Sequence, residues 1–131
     1  REKLEKKVKA ARLERIQFIG NVRDIEKYYE KAAFLVFPSR NEGFGMVLLE
    51  AMYFCLPVVS YDCKAGPKEI IIDGVNGYLV EPGDVEVFTE KMELLMNDES
   101  LRRRIGAQSA RTVIRFHKES ILDQWETLLG A

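Results

Sequence analysis

Glu42 and Glu50 are the side chains best placed to do chemistry, lying eight residues apart with Gly43 and Gly45 between them. They belong to the segment Glu42-Gly43-Phe44-Gly45-Met46-Val47-Leu48-Leu49-Glu50, which follows a short apolar run ending Phe37-Pro38-Ser39. That order places them where a strand gives way to a helix. Glycine there lets backbone N–H groups approach a ligand closely, and a helix start favours negative charge. A carboxylate ahead of the helix and a second within it can accept hydroxyl groups on either side of the anion. The ligand they imply is a phosphate flanked by sugars.

Eight helical residues span at most ~12 Å along the axis. A glycosidase pair instead sits roughly 5–10 Å apart across a single bond. Glu42 and Glu50 therefore read as hydroxyl acceptors. Glu50 interrupts the apolar run Met46–Met52, and a carboxylate on a buried helix is costly unless hydrogen-bonded. A ribose diol would satisfy it; so would a salt bridge to a neighbouring Lys or Arg.

The elements that must position these residues follow an alternating pattern. Ile16–Ile19, Phe34–Phe37, Pro57–Tyr61 and Gly77–Val80 are short apolar runs bounded by turn residues, as strands are. Asp24 is a candidate cap for a helix carrying Ile25, Tyr28, Tyr29, Ala32 and Ala33. Residues 44–54 read as a buried apolar helix. A short helix is expected at Glu69–Ile72. Asp84 and Asp98 are placed to start the next two helices, and a last one carries Ile121, Leu122, Trp125, Leu128 and Leu129. Alternation of this kind predicts an α/β fold with a parallel sheet covered on both faces.

The 131 residues suit one domain, and 47% hydrophobic content supports a real core. A net charge of −1 argues against nucleic-acid binding through bulk charge. Charge is uneven, for residues 1–19 hold seven Lys/Arg and three Glu. Such a basic helix can rest on an anionic membrane, although a solvated face explains it as well. Cys55 and Cys63 fit a reducing compartment, which points to the cytoplasm, at the inner face of the membrane if the basic helix docks there. The charged helix at Arg1 reads as a cut inside a larger protein. Cys63 is expected to be the more exposed thiol. His117 and the aromatics Tyr28, Tyr29, Tyr53, Phe54 and Trp125 read as boundary, core or interface residues, and Arg102–Arg104 as a solvated face.

In order along the chain stand Phe18-Ile19-Gly20-Asn21-Val22, Phe37-Pro38-Ser39, EGFGMVLLEAM from Glu42, and Leu56-Pro57-Val58-Val59-Ser60. Gly66, Glu69-Ile70, Asp73-Gly74, Gly77–Val80 and Pro82-Gly83-Asp84 continue the series. This order resembles the retaining nucleotide-sugar glycosyltransferases of family 4, which have the GT-B fold, over about residues 16–130. The resemblance implies that Glu42 is the catalytic-site acid beside the donor sugar's hydroxyls and that Glu50 binds the ribose. It places Gly43, Phe44 and Gly45 as main-chain donors to the sugar and diphosphate, and Asn21 and Val22 near the nucleobase. It further implies a UDP-hexose donor and no metal or other cofactor. The segment Asp62–Ile70 is similar to members acting on lipopolysaccharide, capsule or teichoic-acid precursors. Cys55 departs from the pattern, standing where the family usually has glycine, so a left-handed helix exit would strain it.

Residues 1–131 are expected to form a single partial domain, which the resemblance identifies as the later part of the donor-binding half. A Rossmann-like sheet of four strands is expected, lacking the usual first two. The acceptor domain, through which a glycan or lipid-linked glycan would bind, lies outside it, as does the basic pair that would serve the diphosphate. Little transfer is expected from this part alone. In the order 3-2-1-4-5-6 the missing strands leave a gap beside strand 34–37. Strand 16–19 is expected to repack there, or two chains to exchange elements. Two other readings are a receiver-like nucleotide-binding module, for which Asp62 is the only comparable strand-end acid, and a nucleotide-sugar epimerase or phosphorylase of the same fold.

Overall fold

Pro57–Tyr61, apolar except for Ser60, supplies the middle strand, as such a run should in a sheet covered on both faces. The computed structural model describes residues 1–130. Its elements run α1 (Glu2–Ala10), α2 (Glu26–Tyr29), β1 (Leu35–Phe37), α3 (Met46–Tyr53), β2 (Val58–Tyr61), α4 (Pro67–Ile70), β3 (Tyr78–Val80), α5 (Val85–Asn97), α6 (Glu99–Val113) and α7 (Lys118–Leu129). The strands form one parallel sheet in the order β1-β2-β3, with Leu35 opposite Val58 and Val59 opposite Tyr78. Every residue of β2 is buried.

Alternation along β2 divides the core in two. Val58 faces Leu48, Met52 and Ile70 from α3 and α4, with Val113 of α6. Val59 and Tyr61 face Phe88 and Leu95 of α5 and Ile105 of α6. Helices therefore cover both faces of a Rossmann-like α/β sheet. Asp84 and Asp98 cap α5 and α6 through their side chains, accepting from the N–H groups of Val87 and Leu101 at 3.0 and 2.8 Å. Arg102 is not merely solvated: its guanidinium donates to the last-turn carbonyls of Leu95 and Met96 at 2.5 and 3.1 Å.

Several expectations are corrected. Among the described residues the sheet has three strands, not four, because residues 16–19 stay outside it. They do not take the edge of β1; the Phe18 carbonyl accepts from the Arg1 guanidinium at 3.1 Å, and Ile16 and Ile19 remain exposed. With no helix covering it, so short a strand would gain little by pairing there. Asp24 does not cap α2, whose N-cap is Ile25, and instead forms an exposed ion pair with Lys27 at 2.8 Å. The short helix after Gly66 starts at Pro67, a residue preorganised for a first turn. Cys63 is buried, its thiol bonded to the Ala65 carbonyl, whereas Cys55 is exposed.

Cys55 has φ of 58°, in the left-handed region that glycine occupies freely. Its exposure means that little packing depends on the thiol. Cys55→Gly is therefore expected to stabilise the fold by about 0.5–1 kcal/mol, the left-handed penalty less the entropy that glycine adds to the unfolded chain. Urea denaturation would measure it, and a lower midpoint would refute it.

Candidate functional site

The site forms where β1 ends and α3 begins. Gly45 enters the helix with φ 87° and ψ 50°, a conformation costly for other residues, and among the described residues no side chain caps this end. The N–H groups of Met46 and Val47, both exposed residues, are thus open to a ligand, whereas that of buried Leu48 donates to the Gly45 carbonyl at 2.9 Å. Gly43 is exposed with open space beside it. Phe44 is half-buried, its ring edge-on to Phe116 at 5.7 Å between centroids.

A second loop backs the first. Gly66 has φ 90° and ψ −73°, and a Cβ built there would run into the Phe44 carbonyl. Backbone touches backbone because this position has no side chain. The carboxyl ends of β1 and β2 thereby meet at residues 42–45.

Glu42 is partly buried and accepts a hydrogen bond from the Ser39 hydroxyl at 2.6 Å. Ser39 follows β1, so the strand's end orients the acid. Glu50 lies in the second turn of α3, and its surroundings differ from those expected. Leu48, Leu49, Ala51 and Met52 are buried, whereas Met46, Glu50 and Tyr53 share the exposed stripe, at the i, i+4, i+7 spacing of one helix face. One side only of this helix packs on the sheet, so Glu50 escapes burial. Its partner is no cation: among the described residues Glu50 makes no salt bridge, and the Tyr29 hydroxyl donates to its Oε2 at 3.0 Å.

Tyr29 is 8% exposed, with its ring 5.6 Å from that of Phe54. Burial, together with the bond to Glu50, pushes its phenol up to about 12, so it remains a donor at neutral pH. Ile25, Glu26, Tyr29, Glu50, Tyr53 and Phe54 line a cavity of about 370 Å³. Asn21 is exposed and Val22 half-buried in the loop that leads into α2, after the left-handed turn at Gly20. That loop delivers Ile25 and Glu26 to the cavity wall. The two acids therefore serve different places: Glu42 the loop at the α3 start, Glu50 the cavity beside its second turn.

Spacing along the chain did not reveal Ser39, Tyr29 or the contact of Gly66 with Phe44. Ser39 stood three residues before Glu42 in a recognisable strand end, and that was the only signal available. Asp62 follows β2, and among the described residues its Oδ1 is the one buried side-chain oxygen without a partner. Among the described residues no three His, Cys, Asp or Glu side chains gather as metal ligands. No described helix is long and apolar enough to cross a membrane.

Comparison with known proteins bears on the family and the fold. A family model described as glycosyl transferases group 1 matches residues 1–112. The amylovoran biosynthesis glycosyltransferase AmsD of Erwinia amylovora is 34% identical over 98% of this chain and 36% of its own length. TarM of S. aureus, solved as a variant in complex with Fondaparinux, alpha-GlcNAc-glycerol and UDP, superposes with a TM-score of 0.91 at 32% identity, over 100% of this chain and 27% of that one. Anabaena HepE in complex with UDP gives a TM-score of 0.88 at 26% identity, over 98% and 36%. The chain spans about a third of the length of these relatives. With the match covering most of its residues, the chain belongs to the group 1 glycosyl transferases and has the Rossmann-like architecture of a GT-B C-terminal domain.

Proposed function

We propose that this chain is the donor-binding part of a retaining glycosyltransferase that moves a hexose from a nucleoside diphosphate, UDP, to an acceptor hydroxyl. Residues 1–131 act as one partial domain, and the acceptor meets a second domain supplied by the rest of the enzyme. Surface glycans of the lipopolysaccharide, capsule or teichoic-acid type are the expected products. Support comes from relatives named for amylovoran and poly(ribitol-phosphate) transfer, and from UDP in two structural neighbours. The relatives are named as transferases, which favours transfer over epimerisation.

One observation carries the reading: an uncapped, glycine-bounded helix start with a carboxylate on each side, one of them lining a cavity. In this reading the N–H groups of Met46 and Val47 and the main chain at Gly43, Phe44 and Gly45 receive the diphosphate and sugar. Anion binding of this kind strengthens as charge grows on the departing nucleotide. Basic residues elsewhere in the enzyme complete it, so no metal is called for. Glu42, held by Ser39, takes the sugar's hydroxyls at the catalytic centre. Glu50 takes the ribose, and Asn21 and Val22 lie near the base. The chain alone is expected to transfer no sugar, and the enzyme to work in the cytoplasm or at the membrane's inner face.

The deciding experiment is Glu50→Ala in the complete enzyme. Loss of a charged hydrogen bond to the ribose should weaken donor binding by about 1–3 kcal/mol. Donor affinity equal to wild type in calorimetric titration would remove Glu50 from the ribose.

A further inference from the structure

Glu50 poses a problem for any ligand it is meant to hold. It is a flexible side chain on the exposed face of α3, and ordering such a chain on binding costs conformational entropy. The structure meets that cost in advance. The Tyr29 hydroxyl, 21 residues earlier in sequence, already holds Oε2 at 3.0 Å. Tyr29 itself is fixed by its place in the core cluster with Leu48, Leu49 and Met52 and by the Phe54 ring. Among the described residues Oε1 has no partner. Both Tyr29 and Glu50 line the same cavity of about 370 Å³.

We propose that Tyr29 is a positioning residue for the donor nucleotide: its hydroxyl clamps one oxygen of Glu50 so that the other is presented to the ribose hydroxyls. The inference rests on the reading of Glu50 as the ribose acceptor and adds a residue to it. Preorganisation of this sort raises affinity by reducing what must be ordered on binding. Because the clamp is a neutral phenol, Glu50 keeps its full charge for the ligand, which a salt bridge to Lys or Arg would have shared. A buried aromatic ring without the hydroxyl would pack as well but leave the carboxylate mobile.

The test compares UDP with 2′,3′-dideoxy-UDP by calorimetric titration of the complete enzyme, in wild type, Tyr29→Phe, Glu50→Gln and the double variant. Wild type should prefer UDP. Tyr29→Phe should weaken UDP about fivefold to tenfold, as for one lost hydrogen bond, and leave the dideoxy analogue nearly unchanged. Glu50→Gln should erase most of the preference, and adding Tyr29→Phe to it should change little more. Equal weakening of both nucleotides by Tyr29→Phe would mean a role in the fold alone and overturn the proposal. So would unaltered UDP binding in Tyr29→Phe when Glu50→Gln still loses the preference. If wild type fails to distinguish the two nucleotides, the ribose assignment of Glu50 falls, and the clamp with it.

Discussion

Gly66→Ala should cost about 3–5 kcal/mol of stability, combining backbone strain with overpacking against a carbonyl that has no room to yield. Both terms are visible at this residue. Its φ of 90° with ψ of −73° lies where L side chains rarely stand. A Cβ would also overlap the Phe44 carbonyl oxygen and lie 2.6 Å from the carbonyl carbon. Phe44 cannot simply retreat, since its ring is lodged against Phe116. The strain would pass to the 42–45 loop and displace the N–H groups before α3. Donor affinity should therefore fall along with stability. Denaturant unfolding and UDP titration would measure the two effects, and a variant within about 0.5 kcal/mol of wild type, the range of an inconsequential surface change, would contradict the close packing of these loops.

Asn76→Ala should be comparably severe, at about 3–5 kcal/mol, because more than one buried polar group would lose its partner. Asn76 is fully buried. Its Oδ1 accepts from the Ile72 N–H at 2.7 Å, and its Nδ2 donates to the Ile70 carbonyl at 3.1 Å and the Thr112 hydroxyl at 2.8 Å. Its own carbonyl accepts from Ser109 at 2.7 Å. One amide thus ties the end of α4, the approach to β3 and helix α6 together. Alanine would leave the Ile70 carbonyl without that partner in the interior, and the Ile72 N–H and Thr112 hydroxyl without it at the interior's edge. A loss below about 1 kcal/mol, the net worth of a single hydrogen bond, would show that water replaces the amide.

The sequence made some of this legible and concealed the rest for identifiable reasons. Continuous apolar runs located β2 and its neighbours, because a strand covered on both faces has no polar side to display. Asp84 and Asp98 announced their helices through cap chemistry, which is local. Cys55 showed its strain through a residue type unsuited to a helix exit. Residues 16–19 misled because an apolar run reports what a segment could bury, and not whether a partner strand lies beside it. Glu50 misled similarly: the composition of α3 is apolar almost throughout, but only one side of an eight-residue helix meets the sheet. Tyr29 and Glu50 lie 21 residues apart on different elements, and Gly66 reaches Phe44 from a separate crossover. No periodicity encodes such meetings. They arise only once β1 and β2 are side by side.

The order β1-β2-β3 follows the order of the chain, and this bears on how the molecule assembles. Each strand joins the next after a crossover that closes only a short stretch of polypeptide, so the entropy of loop closure stays small at every step. Residues 35–80 can accordingly zip up as a nucleus of sequential contacts. Helix α6 makes the distant ones, with Ser109 and Thr112 reaching back to Asn76 across 33 and 36 residues. On this topology α6 is expected to dock late in folding, and changes there should show mainly in the rate of unfolding.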